Sequence, residues 1–157
     1  MHQDFLPSAL LILLAALLIW AAITDIRARI ISNRLNAVIA LLAPVYWYAM
    51  GLSPWPDMAL QVGLCAGVFA VFATLFALGA MGGGDVKMLA ALALWLPAGA
   101  LLSLLVLMAL LGGVVTVATV AHHKWTRRIG AVEIPYGVAI ALAGLWVIGE
   151  PYFNPFA

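Results

Sequence analysis

The sequence predicts an all-α polytopic membrane protein with six transmembrane helices, and three observations carry that prediction. Hydrophobic residues make up 67% of the 157 residues and charged residues only 8%, more apolar surface than a water-soluble domain of this size can cover with polar groups. The mean hydropathy of +1.17 arises from apolar runs of helix length, separated by short junctions rich in glycine, proline or charge. Every Lys and Arg falls in a junction or at the end of a span that one topology places on a single side. The length allows one integral-membrane domain, residues 1–157.

The amino terminus, Met1-His2-Gln3-Asp4-Phe5-Leu6-Pro7, lacks the basic region of a cleaved signal peptide, so the run over 8–24 predicts a retained first helix. Further spans are predicted over 36–50, 58–80, 86–96, 100–121 and 135–149. The fourth is the shortest. At about 1.5 Å per residue it reaches only about half of a roughly 30 Å hydrocarbon core, so it either extends past Pro97 or stops short inside the bundle. Merging it with the fifth span would put Lys87 on the opposite side from Lys124, Arg127 and Arg128. With six spans and both termini outside, those four residues and Arg27, Arg29 and Arg34 all face the cytoplasm, while Asp4, Asp57 and Glu150 face the other side. The Gly63/Gly67 and Ala109/Gly113 spacings point to a tight bundle without naming a pairing. Trp47, Trp55, Trp95, Trp125 and Trp146 lie near span ends, as interfacial anchors do.

Several functions are excluded by the same residues. A net charge of +1 with dispersed basic residues offers no groove for nucleic acid. Cys65 stands alone in an apolar run and reads as a small buried packing residue, with no disulfide or Cys-x-x-Cys metal pair. His122 and His123 point about 100° apart on a helix and, with Glu133, have no third ligand at suitable spacing, so no metal site is expected. No cofactor is implied.

Asp25 and Asp85 remain. Each sits where a hydrophobic span meets a junction, one at the end of the first helix and the other at the start of the fourth, on the same predicted side. A carboxylate at such depth is costly and marks a functional site by default. Bland readings exist: Asp25 as an interfacial carboxylate beside Arg27 and Arg29, Asp85 as the N-cap of its helix. A phosphate cradle is excluded, because Asp85-Val86 stands where the Walker pattern needs Lys-Ser/Thr. The sharper reading is an aspartyl dyad in which two carboxyls sharing a site split their proton affinities, one activating water and the other protonating a scissile carbonyl. Titration belongs to the pair, so acid and base are not assigned to individual residues. Gly82 and Gly84 leave room for an extended substrate strand. Lys87 is turned about 200° from Asp85 and reads as a snorkelling anchor, with a supporting electrostatic role left open. Asn33 and Asn36 either cap the second helix or order the loop beside Asp25, capping being the favoured reading.

Gly82-Gly83-Gly84-Asp85-Val86-Lys87-Met88 resembles the G-x-G-D-x-K motif of the type IV prepilin peptidases. Asp25 followed by Ile30-Ile31-Ser32-Asn33 is similar to that family's first aspartate and downstream Ile-Pro-Asn, and Pro135-Tyr136-Gly137 resembles its Pro-Tyr-Gly segment. The resemblance runs from about residue 20 to 145. It implies that Asp25 and Asp85 are the catalytic pair of a multi-pass aspartic endopeptidase of the bacterial cytoplasmic (inner) membrane, which removes the basic leader of a membrane-inserted prepilin at the cytoplasmic face. Gly82, Gly84, Lys87, Asn33, Pro135, Tyr136 and Gly137 would support the site or the substrate. Ser32 departs from the family's usual proline. The cysteine-containing insert of the longer, amino-methylating members is absent, so the chain resembles the short peptidase-only form of tight-adherence (Flp-type) pili and implies no methyl transfer. The alternatives are a non-catalytic subunit of a pilus or secretion machine and a small proton-coupled transporter, although the aspartates are not near the midplane and no inverted repeat is visible. The prepilin cleaved, the cleavage-site preference and the oligomeric state are left open by the sequence.

Overall fold

The computed structural model describes residues 5–125 and 135–153. Asp4, Arg127, Arg128 and Glu133, and the side chains of His122, His123 and Lys124, lie outside the described residues. Each predicted apolar run contains one helix: α1 (Phe5–Ala28), α2 (Asn33–Ala49), α3 (Ala59–Ala77), α4 (Gly83–Ala93), α5 (Ala98–Trp125) and α6 (Tyr136–Phe153). No strand occurs among the described residues. By length and composition, three stretches can cross a membrane: Phe5–Ala28, Pro54–Ala77 and Ala98–Ala121.

The short helix is the hub. α4 packs against α2, α3 and α6, while α1 lies on α6 and α2, and α5 on α6. Eight of the 11 residues of α4 are buried, and Met88, Leu89 and Leu92 are fully enclosed with Leu14, Leu18, Ile39, Leu104 and Ile140. The outer faces stay apolar, with Val62, Phe69 and Val71 of α3 and Leu102, Val106 and Leu110 of α5 exposed. Lipid is as apolar as leucine, so close packing and interhelical hydrogen bonds, rather than escape from water, decide which face turns inward.

The question left open over the fourth span is settled by Ala93. The helix ends there, about 17 Å long, and a turn leads through Trp95 to Pro97. In a water-free interior a helix end needs partners for its carbonyls. The Trp47 indole N–H donates to the Leu94 carbonyl at 2.7 Å, and that of Trp95 donates to the Ile39 carbonyl at 2.9 Å. The Tyr46 and Trp95 rings stack with centroids 5.1 Å apart. Trp47 and Trp95 are therefore buried locks between α2 and α4, not interfacial anchors as expected. Trp55, Trp125 and Trp146 are exposed, as anchors would be.

Two packing expectations change as well. A β-carbon at Gly63, Gly67 or Gly113 would meet nothing within 4 Å, whereas one at Gly112 would lie 3.2 Å from the Tyr136 ring and one at Gly144 3.0 Å from Leu18. The close helix contacts lie at Gly112 and Gly144. Cys65 is half-buried beside α4 rather than enclosed.

Candidate active site

Chain turns and helix starts at one end of the bundle build the site. α1 stops in a left-handed turn at Arg29 (φ 55), whose N–H donates to the Asp25 carbonyl at 2.9 Å, a position that glycine usually takes. Ser32 then caps α2, its hydroxyl accepting from the Leu35 N–H at 3.2 Å. The cap is thus Ser32, the residue that departs from the family pattern, rather than Asn33 or Asn36. At the end of α3, Gly79 (φ 72) closes a Schellman turn with bonds from Gly79 N–H to Phe76 and from Ala80 N–H to Leu75, both 2.9 Å. Glycine is needed there for its positive φ. The chain then runs through Met81 and Gly82 into α4.

Asp25 sits in the last turn of α1, 5% exposed. Its Oδ2 accepts the Val138 N–H at 3.1 Å, and the Gly137 backbone lies against the same carboxylate. The first turn of α6 thus presents the Val138 amide, which is shared with the Pro135 carbonyl at 3.3 Å, at the positive end of its dipole to a carboxylate from another helix. Only glycine fits at 137. An added β-carbon would lie 2.8 Å from Asp25 Oδ2 and 2.5 Å from Ile31 Cδ1.

Asp85 is the third residue of α4, 9% exposed. Gly82, not Asp85, is the N-cap, and the Asp85 carboxylate folds back over it, with Oδ2 3.0 Å from where a β-carbon at Gly82 would stand. The bland N-cap reading gives way to a side chain turned back over the glycine loop. A cavity of about 620 Å³ lies at this end of the bundle, and both Asp25 and Asp85 line it, with Arg29, Ile30, Gly82 and Tyr136 among its other walls. Two carboxyl groups on one cavity supply a proton donor and a proton acceptor to whatever it admits. Among the described residues no group of three His, Cys, Asp or Glu side chains could hold a metal ion.

The remaining predicted site residues divide. Gly82, Gly84 and Tyr136 line the cavity, while Pro135 and Gly137 are buried at the start of α6. Gly84 also has a packing reason to be glycine, since a β-carbon would lie 3.1 Å from the Ile31 carbonyl oxygen. Lys87 and Asn33 are not cavity residues. They bond each other at 2.8 Å in an exposed position and line a neighbouring groove between α2, α3 and α4. Two contributors escaped the sequence reading as site residues. Arg29 reads as a topology charge beside Asp25, and Asn36, whose Nδ2 donates to the Gly84 carbonyl at 2.9 Å, reads as a helix cap or a residue ordering the Asp25 loop, not as a partner of α4. A polar residue four positions after a capping serine, on the inward side of an apolar helix, was the available signal for Asn36.

No curated protein and no solved structure matches the chain. A family model does match, over residues 12–117, a stretch that holds Asp25, the glycine loop and Asp85 but ends before α6. With about two thirds of its length under that model, the chain belongs to the type IV leader peptidase family.

Proposed function

We propose that this chain is an aspartic endopeptidase that removes the basic leader of type IV prepilins, of the tight-adherence (Flp) kind, and that Asp25 and Asp85 are its catalytic pair. One observation carries the reading: two buried carboxylates from helices remote in sequence line one cavity. Such a pair does not ionise fully at once. With one proton between them, the ionised carboxylate draws a proton from water as it attacks the scissile carbonyl, and the protonated partner donates to the carbonyl oxygen. The amide of Val138 holds Asp25 in place, and Tyr136 helps wall the cavity.

In this proposal all six helices cross the bacterial inner membrane and the cavity opens at the cytoplasmic face, where Arg27, Arg29, Arg34 and Lys87 would lie on the positive-inside rule. The prepilin enters as a membrane helix whose junction with its leader unwinds beside Gly82 and Gly84. The mature amino terminus is released unmethylated. Cleavage of a candidate prepilin co-expressed with wild type, Asp25→Asn or Asp85→Asn, at matched membrane levels, tests the reading. Loss of leader removal in both variants supports it. Processing that persists in either removes that aspartate from catalysis and favours a non-catalytic assembly subunit.

A further inference from the structure

We infer that Asn36 is a positioning residue for Asp85, setting the first turn of α4 through the Gly84 carbonyl; the inference rests on the catalytic reading above. Asn36 is 4% exposed. Its Nδ2 donates to the Gly84 carbonyl, one residue before Asp85, at 2.9 Å, while its Oδ1 is buried without a hydrogen-bond partner. An apolar side chain of the same shape would avoid that orphaned acceptor. The chain keeps an amide at a place where only its donor is used.

The surroundings explain what the donor secures. α4 is too short to be fixed by its own length, and α2 holds it at both ends: Trp47 and Trp95 bond across at the carboxyl end, and Asn36 does so at the amino end. At that amino end the backbone is glycine from 82 to 84, intrinsically freer than other residues and tied locally by the Asp85 and Val86 N–H bonds to the Gly82 carbonyl at 3.1 and 3.2 Å. Gly84 already lies against Ile31, where an added β-carbon would stand 3.1 Å from the carbonyl oxygen, and the Asn36 bond ties the carbonyl of the peptide that leads into Asp85. The Lys87 to Asn33 bond beside it is exposed and cannot exclude water as the Asn36 bond does. Errors of about 1 Å in a reacting group cost on the order of a hundredfold in rate, so a donor that fixes this peptide acts on turnover rather than on substrate binding.

The test uses the full chain purified in detergent with a cleavable prepilin. Asn36→Leu keeps the shape and removes the donor; kcat should fall at least tenfold with KM within twofold of wild type. Trp47→Phe, which removes the lock at the opposite end, should lower thermal stability while leaving kcat within twofold. Asn36→Asp gives a second readout. Its protonated form can still donate to the Gly84 carbonyl and its ionised form repels it, so activity relative to wild type should fall as pH rises. An Asn36→Leu enzyme with wild-type kcat, or an Asn36→Asp enzyme with the wild-type pH profile, overturns the inference. Failure of both variants to accumulate while Trp47→Phe does so overturns it too, because the residue would then be structural. If instead wild type fails to cleave, or Asp25→Asn or Asp85→Asn cleaves normally, the catalytic reading itself has failed.

Discussion

Gly137→Ala is the substitution whose effect can be worked most directly from the geometry. The new methyl carbon would start 2.8 Å from Asp25 Oδ2 and 2.5 Å from Ile31 Cδ1, inside any ordinary carbon contact of roughly 3.5 Å. Relief requires a movement of the order of 1 Å by α6, the Ile31 loop or the Asp25 side chain. If the carboxylate gives way, it loses the bond from Val138, now 3.1 Å. A hydrogen bond to a charged group contributes about 1.5–3 kcal/mol. At about 1.4 kcal/mol per decade of rate, loss of one such bond in the transition state lowers turnover about 10- to 100-fold. The assay is initial-rate cleavage of a prepilin by purified enzyme, with Gly63→Ala as the control, because a β-carbon there meets nothing within 4 Å. Gly137→Ala should be crippled and Gly63→Ala should be indistinguishable from wild type. Equal activity of the two would refute the claim that the start of α6 holds Asp25.

Further outcomes follow from other contacts. Ser32→Pro restores the family's usual residue, and since Ser32 already has φ −68 the ring fits its backbone; loss of the Leu35 cap costs about 1 kcal/mol, largely offset by a stiffer unfolded chain, so melting temperature and cleavage rate should both stay close to wild type. Lys87→Met removes an exposed bond to Asn33 and should change cleavage less than threefold, a larger loss pointing to substrate contact. Gly84→Ala would bring its methyl 3.1 Å from the Ile31 carbonyl oxygen and should reduce both membrane abundance and kcat, read by immunoblot and kinetics.

Much of this was legible in the sequence because the membrane simplifies the code. Apolar runs give helices, and the positive-inside reading of Arg27, Arg29, Arg34 and Lys87 leads to the expectation that Asp25 and Asp85 share one end of the bundle; the two line one cavity. What escaped was pairing through space. The bond from Val138 to Asp25 joins positions 113 residues apart, and nothing local near either announces it. Trp47 and Trp95 misled because an indole near a span end looks the same whether its N–H meets a headgroup or an inward carbonyl. Gly63 and Gly67 misled because small residues permit close approach without requiring a neighbour. Ser32 departs from the family's usual proline, yet a serine directly before a helix is a strong cap signal, and Ser32 caps α2.

The dependence of Asp25 on α6 also has a consequence for dividing the protein. The stretch that matches the family model, residues 12–117, contains both aspartates, yet it omits the peptide group on which one of them rests. A version ending after α5 would carry every acidic group of the cavity and still be inert, whereas a separately expressed α6 segment beginning at Pro135, inserted alongside it, should restore cleavage. On the proposed reading the last helix completes the cavity, and complementation by that fragment would measure how much of the cleavage depends on it.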